Sequence, residues 1–141
     1  MRSVVVVDDQ VAFRAAARRS LSGSSRFTVI GEAASAEEGL ALIAQVRPDL
    51  VVMDVRLPGI DGIEATRRLS TPVEHPDVVL VSTYGPDDLP ADLATCGACG
   101  FVAKVLFGPD TLGTVVDRWH ADDPANDLAA ARGATHFTTI V

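Results

Sequence analysis

The sequence predicts an α/β fold, a parallel sheet wrapped by helices on both faces, and three observations support this class. Five short apolar runs, rich in valine, punctuate the chain at residues 4–7, 27–30, 50–53, 78–81 and 101–103. Most of these runs do not alternate with polar residues, a pattern typical of strands buried on both faces. Helical segments separate the runs, and regular alternation of strand and helix favours a parallel sheet.

The helical segments carry start signals in the sequence. Ser35, followed three residues later by Glu38, forms a capping box before GLALIAQV. Asp61 and Glu64 repeat the pattern after the third run. Pro109 opens a last segment in which apolar residues recur at helical spacing, namely Leu112, Val115, Val116 and Trp119. The stripe that ends at Trp119 is therefore predicted to be core rather than interface.

Two segments are less regular. TYGPDDLPADLATCG, between the fourth and fifth runs, carries prolines and a glycine in its first half, so the fourth helix is predicted to be short or mobile. Beyond about His120 the pattern dissolves into ADDPANDLAAARGATHFTTIV. LAAAR fits a helical turn and FTTIV a strand, but the sequence shows no partner for either. We therefore predict one domain over residues 1–120 and an acidic tail, residues 121–141, of unknown structure.

Length and charge restrict the function classes. With 141 residues the chain is long enough for one domain with a core that needs no metal or disulfide. Its apolar runs fall far short of the ~20 residues of a spanning helix, and acids interrupt the N-terminal run too early for a secretory signal. The net charge of −7 opposes direct binding to nucleic acid or anionic membrane. We expect a cytoplasmic protein with neither partner.

The pair Cys96 and Cys99 has the CxxC spacing of some redox sites. A reactive pair usually lies at a helix N-terminus, which lowers the pKa of one thiol. Here the pair falls at the end of a helical segment, before the fifth run. The pattern therefore favours two small buried packing residues over a redox site.

Polar side chains follow four of the five strands at the point where each strand ends. They are Asp8 and Asp9 after the first, Asp54 after the third, Ser82 and Thr83 after the fourth, and Lys104 after the fifth. The carboxyl ends of parallel strands form the ligand crevice of open α/β sheets. Each residue alone has an ordinary explanation, such as a helix cap for Asp9, a turn for Asp54 or a solvated cation for Lys104. Their combination at one edge predicts a site.

The chemistry of this set points to phosphoryl transfer. Three carboxylates in one place repel each other unless a cation neutralises them, and Mg²⁺ prefers such hard oxygen ligands. Asp54 could then act as a nucleophile toward phosphorus, while the metal and Lys104 absorb the charge that develops on the phosphoryl oxygens. The expected product is an aspartyl phosphate.

The chain resembles the receiver domain of bacterial two-component response regulators. The likeness rests on VVVVDDQ, LVVMDVRLPGIDG, VVLVST and GACGFVAK, in order and at fitting spacings, and it covers about residues 3–119. It implies a flavodoxin-like, doubly wound sheet of five parallel strands in the order 2-1-3-4-5. It also implies phosphorylation by a sensor histidine kinase, and a switch rather than a turnover enzyme. The output surface would comprise the fourth helix, fifth strand and fifth helix. This surface would control a downstream protein or form a homodimer.

The resemblance also assigns roles to individual residues. Asp54 would be the phosphoacceptor, Lys104 the lysine that pairs with the phosphate, and Ser82 the hydroxyl that turns toward the phosphoryl group. Phe101 would be the switch aromatic that moves inward with Ser82. Mg²⁺ would be held by four residues, namely Asp8, Asp9, Asp54 and, through its backbone carbonyl, Arg56.

Three positions near the site modify these expectations. Val105 replaces the proline that often follows the lysine in this family, so a cis peptide bond is disfavoured there. Thr83 is small enough to admit a phosphodonor. Tyr84 is bulky enough to shield the acyl phosphate, which suggests a long-lived phosphoryl state.

Three other functions share part of this pattern. A phosphatase with an aspartyl phosphate intermediate would need a general acid two residues after Asp54, where Arg56 stands. A flavin-binding protein would need a Gly-rich phosphate loop after the first strand, where two acids stand. A phosphorylation-independent binding module, derived from a degenerate or gated receiver, is the remaining alternative. Degenerate receivers typically lose an acid or the lysine, and this chain has both. The tail is too short and too acidic for a DNA-binding domain, which leaves a stand-alone receiver or a piece of a longer chain.

Overall fold

A computed structural model describes residues 1–83, 85, 88–121 and 137–141 of the chain. The described residues form six strands and four α-helices, which alternate except between β4 and β5: β1 Arg2–Val7, α1 Val11–Ser22, β2 Phe27–Ala33, α2 Ala36–Val46, β3 Leu50–Asp54, α3 Gly62–Ser70, β4 Asp77–Ser82, β5 Gly100–Ala103, α4 Pro109–His120 and β6 Thr138–Ile140. All neighbouring strands are parallel, in the order β2-β1-β3-β4-β5-β6. The predicted α/β class and the order 2-1-3-4-5 are confirmed.

Two apolar clusters, one on each face of the sheet, form the core. Alternate residues of the central strands supply both, because successive side chains of a strand point to opposite faces. Val5 and Met53 lie in one cluster with residues from α2 and α3, and Val6 and Val52 lie in the other with residues from α1 and α4. Burial on both faces explains the continuous valine runs of the sequence.

The helix starts follow the sequence signals. The Ser35 hydroxyl accepts the Glu38 N–H at 3.2 Å, and the Glu38 carboxylate accepts the Ala34 N–H at 3.2 Å. Asp61 accepts the N–H of Glu64 at 2.8 Å. In α4 the residues Leu112, Val115 and Val116 are buried, and Trp119 packs on the same cluster. The start and the buried face of this helix are as predicted.

The segment between β4 and β5 differs from the family expectation. Its described residues, 83, 85 and 88–99, form no α-helix. Instead the N–H groups of Leu93 and Thr95 donate to the carbonyls three residues earlier, at 3.2 and 3.1 Å, which are the bonds of tight turns. Pro86 and Pro90 interrupt the sequence here, and proline cannot donate within a helix. The predicted fourth helix is thus replaced by turns, and α4 corresponds to the predicted fifth helix.

The sheet has a sixth strand, where five were predicted. Residues 138–140 of the predicted tail pair in parallel with β5, with Thr138 opposite Gly100 and Ile140 opposite Val102. Phe137 packs against one core cluster and Ile140 against the other. FTTIV therefore has a partner that the sequence did not reveal. LAAAR lies outside the described residues, and the boundary between residues 120 and 121 stays a prediction.

The position of β6 beside β5 depends on Gly100. A Cβ atom at this position would lie 2.4 Å from the carbonyl oxygen of Thr138, too close for any side chain. The backbone N–H of Thr138 also donates to the carbonyl of Cys99 at 3.3 Å. A glycine at the start of β5 therefore lets the backbone of β6 come close.

Proline substitutions in β6 should distinguish the backbone edge that pairs with β5 from the opposite edge. Thr138→Pro removes the N–H that bonds to Cys99, and we expect it to lower the free energy of unfolding by about 2 kcal/mol. Thr139→Pro is the matched control, because successive N–H groups of a strand point to opposite sides and that of Thr139 faces away from β5. Urea denaturation measures both. Equal losses in the two variants would contradict the pairing.

Among the described residues, no helix has the length and apolar character needed to cross a membrane. The CxxC pair is buried, with Cys96 at the end of the turn segment and Cys99 just before β5, and both thiols are free. Burial raises the pKa of both thiols, which disfavours the reactive thiolate. This supports the packing role for the pair.

Candidate functional site

The ends of four strands bring the predicted residues to one edge of the sheet. Asp8 follows β1, Asp54 is the last residue of β3, Ser82 is the last residue of β4, and Lys104 follows β5. Asp54 lies opposite Val81 in the register, so Ser82 is one position further along β4. Ser82 in turn lies opposite Ala103, directly before Lys104. The parallel register thus gathers side chains that are far apart in sequence.

Three carboxylates form the centre of the site. Asp8, Asp9 and Asp54 each offer an oxygen, and these oxygens lie within 4.8 Å of one another. Asp8 is fully buried and Asp54 is 5% exposed, whereas Asp9 is exposed to solvent. Asp9 does not cap α1, since the capping position is Gln10. The ordinary explanation for Asp9 as a helix cap is therefore wrong.

Backbone amides orient the two buried acids. The N–H of Gln10 donates to Asp8 Oδ1 at 2.8 Å, and the N–H of Arg56 donates to Asp54 Oδ1 at 3.3 Å. Each acid therefore uses one oxygen to accept a local backbone bond, as Asp residues often do in turns. The second oxygen of each is directed to Lys104.

The Lys104 ammonium bridges the two buried acids. Its Nζ lies 2.6 Å from Asp8 Oδ2 and 3.4 Å from Asp54 Oδ2, and the lysine side chain is only 7% exposed. The contact with Asp8 is an ion pair without the angles of a hydrogen bond, and Asp8 Oδ2 accepts no hydrogen bond from the described residues. One ammonium thus faces two buried carboxylates, so negative charge remains in excess.

This excess charge affects the protonation of Asp54. Burial, reinforced by the negative charge of Asp8, raises the pKa of Asp54 from an ordinary 3.8 to about 6. Lys104 and the Arg56 N–H act in the opposite direction but do not cancel the effect. Asp54 is therefore mainly ionised at neutral pH and more basic than an ordinary carboxylate.

The donor set fits a hard divalent cation. Carboxylates are the ligands that Mg²⁺ prefers, and the two buried acids carry charge that one ammonium leaves uncompensated. The buried oxygen Asp8 Oδ2 pairs with the Lys104 ammonium at 2.6 Å but accepts no hydrogen bond from the described residues, so it has electron pairs left for a metal. Asp8, Asp9 and Asp54 are therefore candidate metal ligands, which agrees with the sequence prediction for their side chains.

The loop after Asp54 is shaped to pass close behind the site. A Cβ at Gly62, the first residue of α3, would lie 1.9 Å from the backbone oxygen of Asp54, so only glycine fits. Asp61 caps α3, as predicted. The Arg56 guanidinium donates to the backbone carbonyl of Asp88, which ties this loop to the segment after β4. The turn residues that follow Asp54 thus serve its placement.

The predicted switch residues are both inside the protein. Ser82 is 1% exposed at the end of β4, and Phe101 is fully buried in β5, within a core cluster. Thr83 is exposed beside Ser82. Tyr84, the proposed shield of the acyl phosphate, lies outside the described residues. The peptide bond before Val105 is trans, as expected for a residue other than proline.

Two residues around Lys104 were missed by the sequence analysis. Gln10 accepts a hydrogen bond from Nζ at 3.1 Å, and Nζ lies 4.8 Å from the centre of the Phe13 ring. The available signal was the glutamine itself, since Ser, Thr, Asp and Asn are the preferred residues before a helix.

Known proteins of similar sequence identify the family of the chain. A sequence model described as the response regulator receiver domain matches residues 4–117. The response regulator GacA of Pseudomonas viridiflava is 42% identical over 106 residues, which cover 74% of this chain and 49% of GacA. The response regulator UvrY of Escherichia coli K12 is 33% identical over 137 residues, covering 94% and 63%. The chain therefore spans about half to two thirds of these relatives.

Solved structures give the same result for the fold. The signal receiver domain of the putative response regulator NarL from Mycobacterium tuberculosis has a TM-score of 0.74 and 31% identity, with 82% of this chain and 94% of that chain covered. A LuxR-family two-component response regulator from Aurantimonas also has a TM-score of 0.74, at 28% identity, with 94% and 97% covered. The resemblance inferred from the sequence is confirmed.

Proposed function

Because the chain belongs to the response regulator receiver domain family, whose members are the phosphoacceptors of two-component signalling, we propose that Asp54 is its phosphoacceptor. The observation that carries the proposal is the ion-pair geometry at the sheet edge. A basic, buried carboxylate lies 3.4 Å from the ammonium of Lys104 and beside two further acids. Such a set supplies both the nucleophile and the charge compensation that phosphoryl transfer needs.

The donor would be a phosphohistidine of a sensor histidine kinase. An oxygen of Asp54 attacks the phosphorus, the new O–P bond forms, and the P–N bond breaks with its electrons and a proton going to the imidazole. The raised pKa of Asp54 supports this role, because a more basic carboxylate is a stronger nucleophile while still ionised at neutral pH. The protein would catalyse this transfer to itself and the later hydrolysis, and would act as a switch.

Two kinds of positive charge would assist the transfer. Asp8, Asp9, Asp54 and the backbone carbonyl of Arg56 would hold Mg²⁺, which supplies charge compensation for the phosphoryl oxygens when bound. Lys104 would move its ammonium from the two carboxylates toward the phosphoryl group. The short path supports this, since Nζ already lies within 3.4 Å of Asp54 Oδ2.

The response to phosphorylation would involve Ser82 and Phe101. The Ser82 hydroxyl would turn toward the phosphoryl group. Phe101 is already fully buried, so phosphorylation would stabilise its inward position rather than create it, and this would shift the equilibrium between two arrangements of the nearby loops. The surface affected comprises the turn segment 88–99, β5 and α4, with Leu106 and Phe107 between them. A downstream protein or a second copy would dock there. Because β6 covers the edge of β5, docking at that edge would have to use β6 or replace it.

The proposal also covers the location and the partners of the protein. A partner kinase and a cytoplasmic location suit a receiver, and DNA binding would belong to another chain or domain, given the net charge of −7. The relatives are response regulators of greater length, so the activity of a whole protein is also part of the proposal.

Intact mass spectrometry tests the proposal directly. We expect the protein to gain one phosphoryl group when incubated with a small phosphodonor and Mg²⁺, and the gain to be lost in Asp54→Asn and without the metal. Asp61→Asn is the matched control, since Asn caps a helix as well as Asp and this residue lies outside the acid cluster. A folded protein that gains no phosphoryl group, or an Asp54→Asn variant that still gains one, would refute the assignment.

A further inference from the structure

Among the residues that the structure describes, the Lys104 ammonium has two neutral neighbours in addition to the acids. Gln10 Oε1 accepts a hydrogen bond from Nζ at 3.1 Å, and the face of the Phe13 ring lies beneath Nζ, with 4.8 Å to its centre. An aromatic face attracts a cation within about 6 Å, and the attraction strengthens when water is excluded. The lysine side chain is 7% exposed and Phe13 is half-buried, so the contact with the ring meets little competition from solvent, whereas Gln10 is itself exposed and closes the site on its solvent side.

Gln10 is an unusual residue for its position. It occupies the capping position of α1, yet its side chain makes no capping hydrogen bond. Glutamine is not among the residues that favour this position, so the helix itself gives no reason for it. Its side chain is instead directed across the site to Lys104, while its backbone N–H holds Asp8 Oδ1 at 2.8 Å. Its side chain therefore serves the lysine rather than the helix.

Phe13 is held in place from behind. Its ring meets that of Phe107 edge to face, with 5.4 Å between the centres and an angle of 66°. Both rings pack against the core cluster that α1 and α4 cover. The aromatic surface under Nζ is therefore fixed by the two elements that flank the site, the start of α1 and the turn after Lys104.

We propose that Gln10 and Phe13 are positioning residues, which hold the Lys104 ammonium beside Asp54 in readiness for the phosphoryl group. This inference rests on the proposed role of Asp54 as phosphoacceptor. Asp8, the nearest partner of Nζ at 2.6 Å, is also a candidate metal ligand and cannot be the permanent anchor of the lysine. Gln10 and Phe13 are neutral and are not candidate metal ligands. They hold the ammonium without cancelling the charge that it must offer to phosphate.

The position of the ammonium can be observed without any reaction. Lys104 is the only lysine of the chain, so selective isotope labelling of lysine gives the signal of this side chain alone. The ring current of Phe13 should move the ε-methylene protons of Lys104 upfield, because their carbon is bonded to the Nζ that lies over the aromatic face. The shift should persist in Phe13→Tyr and disappear in Phe13→Leu. An unchanged shift in folded Phe13→Leu would refute the contact.

A double-mutant cycle tests the effect on phosphorylation by a small donor with Mg²⁺. We expect Gln10→Ala to slow the reaction about tenfold and Phe13→Leu about fivefold, with Phe13→Tyr restoring most of the rate. In a Lys104→Met background neither substitution should slow it further, because both act through the ammonium. Val11→Ala is the control, since Val11 lies on the same turn of α1 but is 68% exposed.

The outcomes separate this inference from the proposed function. If Asp54→Asn abolishes the reaction but Gln10→Ala slows it equally with and without Lys104, the two residues act on the fold and the inference fails while the function stands. If Asp54→Asn leaves phosphorylation unchanged, the proposed function itself fails. Thermal unfolding of each variant confirms that the rates compare folded proteins.

Discussion

Lys104→Met is expected to slow the phosphorylation of Asp54 by a small donor by about 10²- to 10³-fold, the effect typical of losing one preorganised charge at a reacting centre. The ammonium lies 3.4 Å from Asp54 Oδ2, within reach of the oxygens of an entering phosphoryl group. Methionine keeps most of the length and apolar volume of the lysine side chain. The substitution therefore removes the charge with little change in packing around Phe13.

Lys104→Arg provides the matched comparison. Arginine keeps the positive charge, but its planar guanidinium cannot occupy the compact site between Asp8, Asp54 and Gln10 in the same way. We expect it to recover only part of the rate. The rates are measured as the gain of intact mass over time, at a temperature where circular dichroism shows both variants folded. A wild-type rate in Lys104→Met would contradict the role of the lysine.

Asp54→Asn should stabilise the metal-free protein at neutral and alkaline pH. The folded-state pKa of about 6 lies above the ordinary 3.8, so protonation of Asp54 favours the folded state. This stabilisation is complete below about pH 4 and is lost as the pH rises through 6. At pH 8 the ionised carboxylate costs about 3 kcal/mol, and the neutral amide of asparagine avoids this cost. By pH 5 the advantage of the variant should fall to about half.

Urea denaturation in the presence of a chelator, at pH 5 and pH 8, measures this difference. Asp9→Asn is the control within the same acid cluster, and its exposed side chain should change the free energy of unfolding by less than about 0.5 kcal/mol. Saturating Mg²⁺ should stabilise the wild type and reduce the advantage of Asp54→Asn, since a ligand of the folded state adds to its stability. A variant no more stable than wild type at pH 8 would contradict the prediction, because it would show that the buried charge of Asp54 does not destabilise the fold.

The central part of the fold could be predicted because local patterns determine it. Strands β1, β3 and β4 are buried on both faces, and such strands must be apolar throughout, which makes the valine runs easy to recognise. Parallel strands also place their carboxyl ends together, so Asp8, Asp54 and Lys104 could be grouped from sequence order alone. The site followed from the topology without knowledge of any side-chain conformation.

The rest depends on contacts that have no local signature. β6 is only three residues long, and its pairing with β5 depends on the space that Gly100 leaves for its backbone. In the sequence, Gly100 cannot be distinguished from a glycine that only forms a turn. The direction of the Gln10 side chain, away from its own helix, could not be inferred from capping preferences. The turns that replace the predicted fourth helix were anticipated by the prolines of that segment, but only as a weakness in the helix.

The end of α4 and the start of β6 lie at the edge of the sheet opposite the acids. α4 runs back from the site, and at its end His120 lies 2.6 Å from Asp77, the first residue of β4. β6 begins at the same amino-terminal edge, because it is parallel to β5. Both attachment points of residues 122–136 are thus a full strand length away from the acids. Changes at His120, Ala121 or Phe137 should therefore have no direct contact with the proposed phosphoryl chemistry at the opposite edge of the sheet.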